Sequence, residues 1–477
     1  MTYRIALSGT FDVENYGDLL FPVIFERAMK KRGLDYELVL FSPDASLGVK
    51  AQDSDVAVYP LSQLEKMHLD KPFDTVVVGG GALIHYKSIS VVMPGAPQGK
   101  FTPYRNSETW VTPALVCAKY GIKLLYNLPQ VSYPFAKSMY PVVRAFFAPT
   151  DYISFRDAHS KMCFDEVYAG EESRPEMVVA PDSVCVISEL IDGDSLAEIR
   201  RDLLPENTPY AVLHFNRVRP EGDTDDLLKT VAHLKALGLQ VVLLPLGYTH
   251  FDEKGLDELN ALTNGECIGF ERPLSIMEMA SVLAGCEIYI GSSFHGAVTA
   301  LGYGKKAVSY NYSRLTKNAA LFDDYGIGDM VALSAAELIE KIDLALSTPP
   351  DAERVSAVFA EVNAHFDRLF EHITSNSTPK SKNALCPESV LLDTLEVAAT
   401  SLDQITACEN EIARLSDEKV HLENRMRELE TQLEDFRIHH VNTVQTITQD
   451  FTNSASWKIT KPIRAVSKTF KKTEKRV

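Results

Sequence analysis

The chain predicts two doubly wound α/β domains followed by a coiled-coil helix, and three observations carry that expectation. Short runs rich in Val, Ile and Leu alternate with helical patterns as far as about residue 375. The alternation comes in two successive sets, and a heptad repeat then replaces it. The first set of strand candidates is RIALSG from Arg4, YELVLFS from Tyr36, TVVVGGG from Thr75, IKLLYNLP from Ile122, YISFRD from Tyr152 and MVVAPDSV from Met177. The second is YAVLHF from Tyr210, QVVLLPL from Gln240, ECIGF from Glu266, EIYIGSS from Glu287 and KAVSYN from Lys306. Most are continuously apolar rather than alternating, which is the pattern of strands covered on both faces of a parallel sheet. Helical stretches such as LLKTVAHLKALG and SIMEMASVLAGC separate them. The expected domains are residues 1–190 and 191–375, with ligands bound at the carboxyl ends of the strands, in the cleft between the two.

Beyond residue 375 the polar SNSTPKSKNALCPES reads as a linker, assigned to 376–390, before a coiled coil at 391–440 and a basic tail at 441–477. Ile405, Ile412, Lys419, Met426 and Leu433 occupy one seam position of the repeat, and Cys408, Leu415, Leu422, Leu429 and Phe436 the other. Such a seam implies a homo-oligomer, because a single helix would leave a continuous apolar stripe in water; the competing expectation is one long amphipathic helix packed on the body. From Trp457 onward, eight Lys or Arg face one acid, Glu474, a balance of +7 that leaves −24 for the preceding residues out of a total of −17. Ile459, Ile463, Val466 and Phe470 fall at helical spacing within this tail. It suits peripheral contact with an anionic membrane surface, and equally a solvated tail.

At 477 residues, with 45% hydrophobic and 24% charged residues, the chain fits a protein with two sizeable cores. A net charge of −17 argues against a nucleic-acid partner. Seven scattered cysteines form no CxxC pair and no metal-ligand spacing, as expected of reduced thiols with no metal and no cofactor. The first residues lack the apolar core of a signal peptide, and no run approaches a membrane span. The expected location is the cytoplasm, with the tail at the inner face of the membrane.

Four loops carry residues suited to chemistry. In ENYGDLL, Asn15 and Gly17 permit a tight turn and Asp18 is expected to cap the following helix, making an anion site. Gly79, Gly80 and Gly81 end a strand and let backbone approach a ligand, without forming a dinucleotide fingerprint. Arg156 ends another strand, ready either to fork onto a carboxylate or phosphate or to pair with Asp157 or a neighbour. In GSSFHG, Ser292 and Ser293 can cap a helix whose first turn carries His295, poised for proton transfer.

These residues together resemble a known family. NYGD, the GGG after a strand, FRD, APDS from Ala180 and SSFHGAVTALGYGKKAVSYNYSRLTK occur in the order seen in polysaccharide pyruvyl transferases, over roughly residues 5–330. The resemblance implies two Rossmann-like domains in a GT-B-like arrangement. The implied reaction moves the pyruvyl group of phosphoenolpyruvate onto two sugar hydroxyls as a cyclic ketal, on a glycan or lipid-linked sugar acceptor. It implies Arg156 as a donor-binding residue, His295 as the catalytic acid, Asp18 or Asp182 as a base or sugar-orienting group, and Lys317 as a lysine after the last strand. The family carries an arginine two residues before its histidine, where this chain has Ser293; Arg217, Arg219, Arg314 or Lys317 is expected to supply that charge. The SASWKITKPIR segment is similar to the endings of bacterial surface-glycan glycosyltransferases. Two other functions fit the same loops: a GT-B-like glycosyltransferase using a nucleotide sugar, and a non-catalytic scaffold in glycan assembly.

Overall fold

A computed structural model describes residues 2–43, 57–85, 89–91, 102–104, 107–171, 174–205, 208–216, 220, 222–348 and 351–383, together with 425–426, 429, 445–446, 448–450 and 460. Two compact units divide the chain, Met1–Thr394 and Leu395–Val477, and both large sheets belong to the first. In the second unit the described residues before Thr460 are helical, with Met426 and Leu429 exposed. The rest of the heptad seam and of the basic tail lies outside the described residues, as do Arg217 and Arg219. Among the described residues no helix is long and apolar enough to cross a membrane.

The first sheet has seven parallel strands in the order β3-β2-β1-β4-β7-β8-β9. These are β1 (Tyr3–Ser8), β2 (Tyr36–Ser42), β3 (Val58–Pro60), β4 (Thr75–Gly79), β7 (Lys123–Asn127), β8 (Thr150–Phe155) and β9 (Met177–Val179). A separate antiparallel pair, β5 (Ile89–Val91) and β6 (Thr102–Tyr104), stands apart. The second sheet is parallel in the order β11-β10-β12-β13-β14, from β10 (Tyr210–His214), β11 (Gln240–Leu243), β12 (Ile288–Gly291), β13 (Lys306–Tyr310) and β14 (Val331–Ala332). The expected ECIGF strand is a correction: only Ile268 pairs, bridging Val242 at the sheet's edge. Its amide reaches Val241 O at 2.9 Å and its carbonyl accepts from Leu243 N at 2.8 Å, while Glu266 and Gly269 on either side hold no ladder position.

Both central strand sets are buried along nearly their whole length; Val76, Val77 and Val78 of β4 and Val212 and Leu213 of β10 are fully covered. Burying each such side chain stabilises the fold by about 1.5–3 kcal/mol. In each sheet the chain order reverses at one place, between β1 and β4 in the first and between β10 and β12 in the second. There the crossover helices leave to opposite faces and open a crevice at the carboxyl ends. Helix Ala352–Thr374, capped by Asp351, returns across the first sheet against β7 and β8. His365 on this helix is buried, its Nδ1 taking the Tyr152 hydroxyl at 3.0 Å and its Nε2 meeting Asn127 Oδ1 at 2.8 Å. Burial pushes its pKa down to about 3.

Candidate active site

The two crevices face each other across one cleft of about 330 Å³. Its lining includes Asn15, Asp18, Gly81, Arg156, Ser292, Ser293, His295 and Lys317. A larger hollow of about 500 Å³, beside Arg200, Arg201 and Glu287, lies at the amino ends of the second sheet's strands, away from the end where parallel sheets take ligands.

The first sheet supplies the loop after β1 and the end of β4. Asn15 caps helix Tyr16–Lys31, its side-chain oxygen accepting from the Gly17 amide at 3.0 Å. Asp18, expected to be the cap, instead sits in the first turn, because Asn15 already holds the extended backbone that a cap needs. Asp18 takes a hydrogen bond from Thr10, and burial raises its pKa against the pull of Lys317 and Arg156. Gly80 and Gly81 have φ of 73° and 79°, and the Phe21 ring fills the space a Cβ at position 80 would need. Gly17 lies flat against the imidazole of His295, so a side chain there would overlap the ring.

Arg156 and Asp182 are not exposed rim residues but a buried pair. Arg156 Nη1 stands 3.3 Å from Asp182 Oδ2, and Nη2 donates to Gln130 Oε1. Asp157, the other partner weighed from sequence, caps the next helix by accepting from Ser160 N at 2.7 Å. The Arg156 guanidinium lies 4.8 Å from the Phe294 ring centroid, and its Nε has no hydrogen-bond partner. Asp182 also accepts from Val184 N at 3.0 Å, and burial raises its pKa even beside Arg156.

The second sheet contributes the turn after β12. Ser293 caps helix Phe294–Gly302 by accepting from Gly296 N at 3.3 Å, and Ser292 Oγ donates to Asn216 Oδ1 at 2.9 Å. His295 therefore sits in the first helical turn, with Nε2 3.8 Å from Asp182 Oδ2 and without a hydrogen-bond partner. Phe21 meets the ring edge-on at 5.1 Å. Burial, with the charges of Arg156 and Lys317, holds its pKa well below the usual imidazole range. Lys317 follows β13 and brings Nζ to 5.8 Å from the Phe294 centroid. Burial and Arg156 push it down to about 8, against the carboxylates of Asp18, Asp182 and Asp157. Arg314, one of the cations weighed for the missing charge, is exposed and absent from the lining.

Among the lining residues with polar side chains, His214, Asn216 and Asp252 escaped the sequence reading. His214 ends β10 with Nδ1 3.0 Å from Leu244 O and Nε2 3.7 Å from Asp252 Oδ2. Asp252 is 2% exposed, and its Oδ1 has no hydrogen-bond partner. Burial pushes its pKa up to about 8, with the Gly247 amide pulling back and the Glu253 charge adding to the rise. A polar residue closing an apolar strand run, as in YAVLHFN, was the available signal for His214 and Asn216.

The two halves are stitched together at this point. Asn15 bridges Gly247, Tyr16 N donates to Leu246 O at 2.8 Å, and the Tyr16 hydroxyl meets Thr299 Oγ1 at 2.9 Å.

The family model described as Polysaccharide pyruvyl transferase matches residues 15–314. No curated protein sequence matches the chain. Among solved structures, the UDP-GlcNAc 2-epimerase of Methanocaldococcus jannaschii is similar at a TM-score of 0.51 and 13% identity, over 78% of this chain and 99% of that one. A glycosyltransferase from Rickettsia africae gives 0.51 and 13%, over 79% and 100%. The UDP-GlcNAc 2-epimerase of Neisseria meningitidis gives 0.50 and 13%, over 78% and 100%. At these identities the likeness is one of fold, the GT-B-like pairing of two Rossmann-like sheets.

Proposed function

This chain belongs to the polysaccharide pyruvyl transferase family, an enzyme family of transferases, and from that premise we propose that its cleft moves the pyruvyl group of phosphoenolpyruvate onto two hydroxyls of a surface-polysaccharide sugar, closing a cyclic ketal. The observation that carries the reading is the convergence of Arg156, Lys317, the amino end of helix Phe294–Gly302 and the unpartnered His295 Nε2 on one wall of the cleft.

Phosphoenolpyruvate carries a carboxylate and a phosphate, so its binding calls for a fork, a point charge and free helix amides. Arg156 provides the fork, held in place by Asp182 and Gln130. Lys317, also near the Phe294 ring, supplies a second charge and takes over from the arginine that Ser293 replaces. Burial and the neighbouring cations favour neutral His295; an arriving trianionic donor reverses the local field and favours the imidazolium. His295 then gives its Nε2 proton to the methylene carbon of the enol, whose π electrons take it up. The adjacent carbon becomes electrophilic, and the oxygen of a sugar hydroxyl bonds to it. That hydroxyl releases its proton to the imidazole or to Asp18. Phosphate departs with the electrons of its carbon–oxygen bond, the second hydroxyl adds to the same carbon, and its proton leaves on the phosphate.

The nucleotide-sugar glycosyltransferase is retained as a second reading because Ser293 stands where a donor-binding arginine is expected. Calorimetric titration of the full chain with phosphoenolpyruvate and, separately, UDP-N-acetylglucosamine decides between them. The proposal requires phosphoenolpyruvate to bind, and to bind less tightly to Arg156→Ala; saturable binding of the nucleotide sugar alone supports the alternative.

A further inference from the structure

The cleft holds a second set of polar groups that the donor does not account for. The cations Arg156 and Lys317 lie on the His295 wall, and their charges act on Asp18 and Asp182 there. Beside them, on the strand next to β12, the end of β10 and the loop before helix Asp252–Leu262 present His214, Asn216 and Asp252, with the apolar Leu246 among the lining residues. No lysine or arginine among the described residues lines this side. Among the described residues nothing there compensates a charged phosphate, and the loss of water around an uncompensated anion is costly.

The groups present suit a neutral hydroxyl. A hydroxyl both donates and accepts, and it pairs best with side chains that do the same. Asn216 spends its oxygen on Ser292 Oγ, and its Nδ2 has no partner among the described residues. His214 gives its Nδ1 proton to the Leu244 carbonyl at 3.0 Å, and its Nε2 lies 3.7 Å from Asp252 Oδ2. Asp252 is buried with Oδ1 unsatisfied, a costly arrangement for a carboxyl with no ligand to meet. Burial, which favours its protonated form up to about pH 8, gives it a proton to share as well as lone pairs.

We infer that Asp252 and Asn216, backed by His214, form a subsite for two neighbouring hydroxyls of an uncharged hexopyranose. Resting on the pyruvyl-transfer reading, this sugar is the acceptor, held so that its hydroxyls face a donor bound by Arg156 and Lys317. Leu246 offers the apolar contact that the C–H face of a pyranose ring prefers.

Saturation-transfer difference NMR on the full chain tests the inference with methyl glycosides of glucose, galactose, mannose and N-acetylglucosamine as probes. At least one glycoside is expected to bind, and to bind about tenfold or more weakly to Asp252→Ala and to Asn216→Ala, the loss of roughly one buried hydrogen bond. Phosphoenolpyruvate affinity, measured on the same variants by calorimetry, is expected to stay within about twofold. Circular dichroism verifies folding; should Asp252→Ala not fold, Asn216→Ala decides alone. Unchanged glycoside binding in the folded variants, or no glycoside bound by the wild type, overturns the subsite. Failure of the wild type to bind phosphoenolpyruvate overturns the pyruvyl-transfer reading instead, and the glycoside arm still decides the subsite.

Discussion

Gly17 and His295 come from different sheets yet pack so closely that no side chain fits between them. The backbone of one domain's first helical turn forms the seat for the imidazole of the other. The ring is fixed from a second side by the edge of Phe21, itself lodged where Gly80 leaves room. Proton transfer needs such fixing, because a misplaced ring loses the alignment on which general acid catalysis depends.

Gly17→Ala is therefore expected to behave as a catalytic lesion rather than a folding one. The added methyl displaces the imidazole at a packing cost of about 1–3 kcal/mol. Turnover, followed as phosphate released from phosphoenolpyruvate, should fall about 10²-fold or more while the thermal midpoint shifts by only a few degrees. Wild-type turnover in this variant would show that the seat has no bearing on His295.

Arg156→Ala and His295→Ala should separate binding from chemistry. The first removes a fork and leaves the buried Asp182 carboxyl with a weaker set of partners, so donor affinity falls and stability drops by about 3–5 kcal/mol. The second should lower turnover by about 10²–10⁴-fold with donor affinity nearly intact. Calorimetry paired with steady-state kinetics reads both quantities, and equal effects of the two variants on binding would contradict the assignment.

Donor binding should take up protons. His295 has a pKa well below its ordinary value through burial and the nearby cations, and the anionic donor raises it, so the complex holds more protons than the free protein. Lys317, at about 8, adds to this in the same direction, being partly deprotonated above neutrality until the donor arrives. Affinity should consequently weaken as pH rises from 7 to 9. Titrations in buffers of different ionisation enthalpy measure the uptake directly; release of protons would run against the mechanism.

Ser293→Arg tests what replaced the family's arginine. The cap on Gly296 is lost, at about 1 kcal/mol. Phosphoenolpyruvate should nevertheless bind as well or more tightly, since the new guanidinium enters the wall that already favours anions. A blocked donor site in calorimetry would favour the nucleotide-sugar reading.

His365 should make the fold acid-sensitive. Its folded-state pKa of about 3 is depressed below the unfolded value near 6.5, so its contribution is complete above that value and declines as pH falls from 6.5 toward 3. The decline is about 1.4 kcal/mol for each pH unit. Melting curves from pH 7 to 4 should show this slope, and His365→Gln should flatten it.

What could be read from sequence follows from where each group sits along the chain. Arg156, Ser292, Ser293 and His295 follow immediately on runs such as YISF and EIYIG, so locating a strand's carboxyl end locates them. Asp18 lines the cleft without capping its helix; Asn15 and Asp18 are both good capping types, and only backbone geometry chooses between them. Asp252 had no comparable signal. It reaches the cleft through Phe251, a non-glycine residue at φ 56°, a left-handed turn that no residue type at that position announces. The strands β3 and β14, three and two residues long, are likewise set by their neighbours rather than by their own pattern.

The return of helix Ala352–Thr374 to the first sheet has a practical consequence for anyone dividing this protein. The covering of the first sheet is discontinuous in sequence: one of its layers is encoded after all strands of the second sheet. A fragment ending near residue 190 would uncover Tyr152 and the apolar surface that Phe366, Leu369 and Phe370 seal, and should aggregate. Supplying residues 351–383 as a separate peptide should restore its solubility, in the manner of a split protein. The connection also passes between the halves twice, so cutting either crossing leaves the two joined by the other.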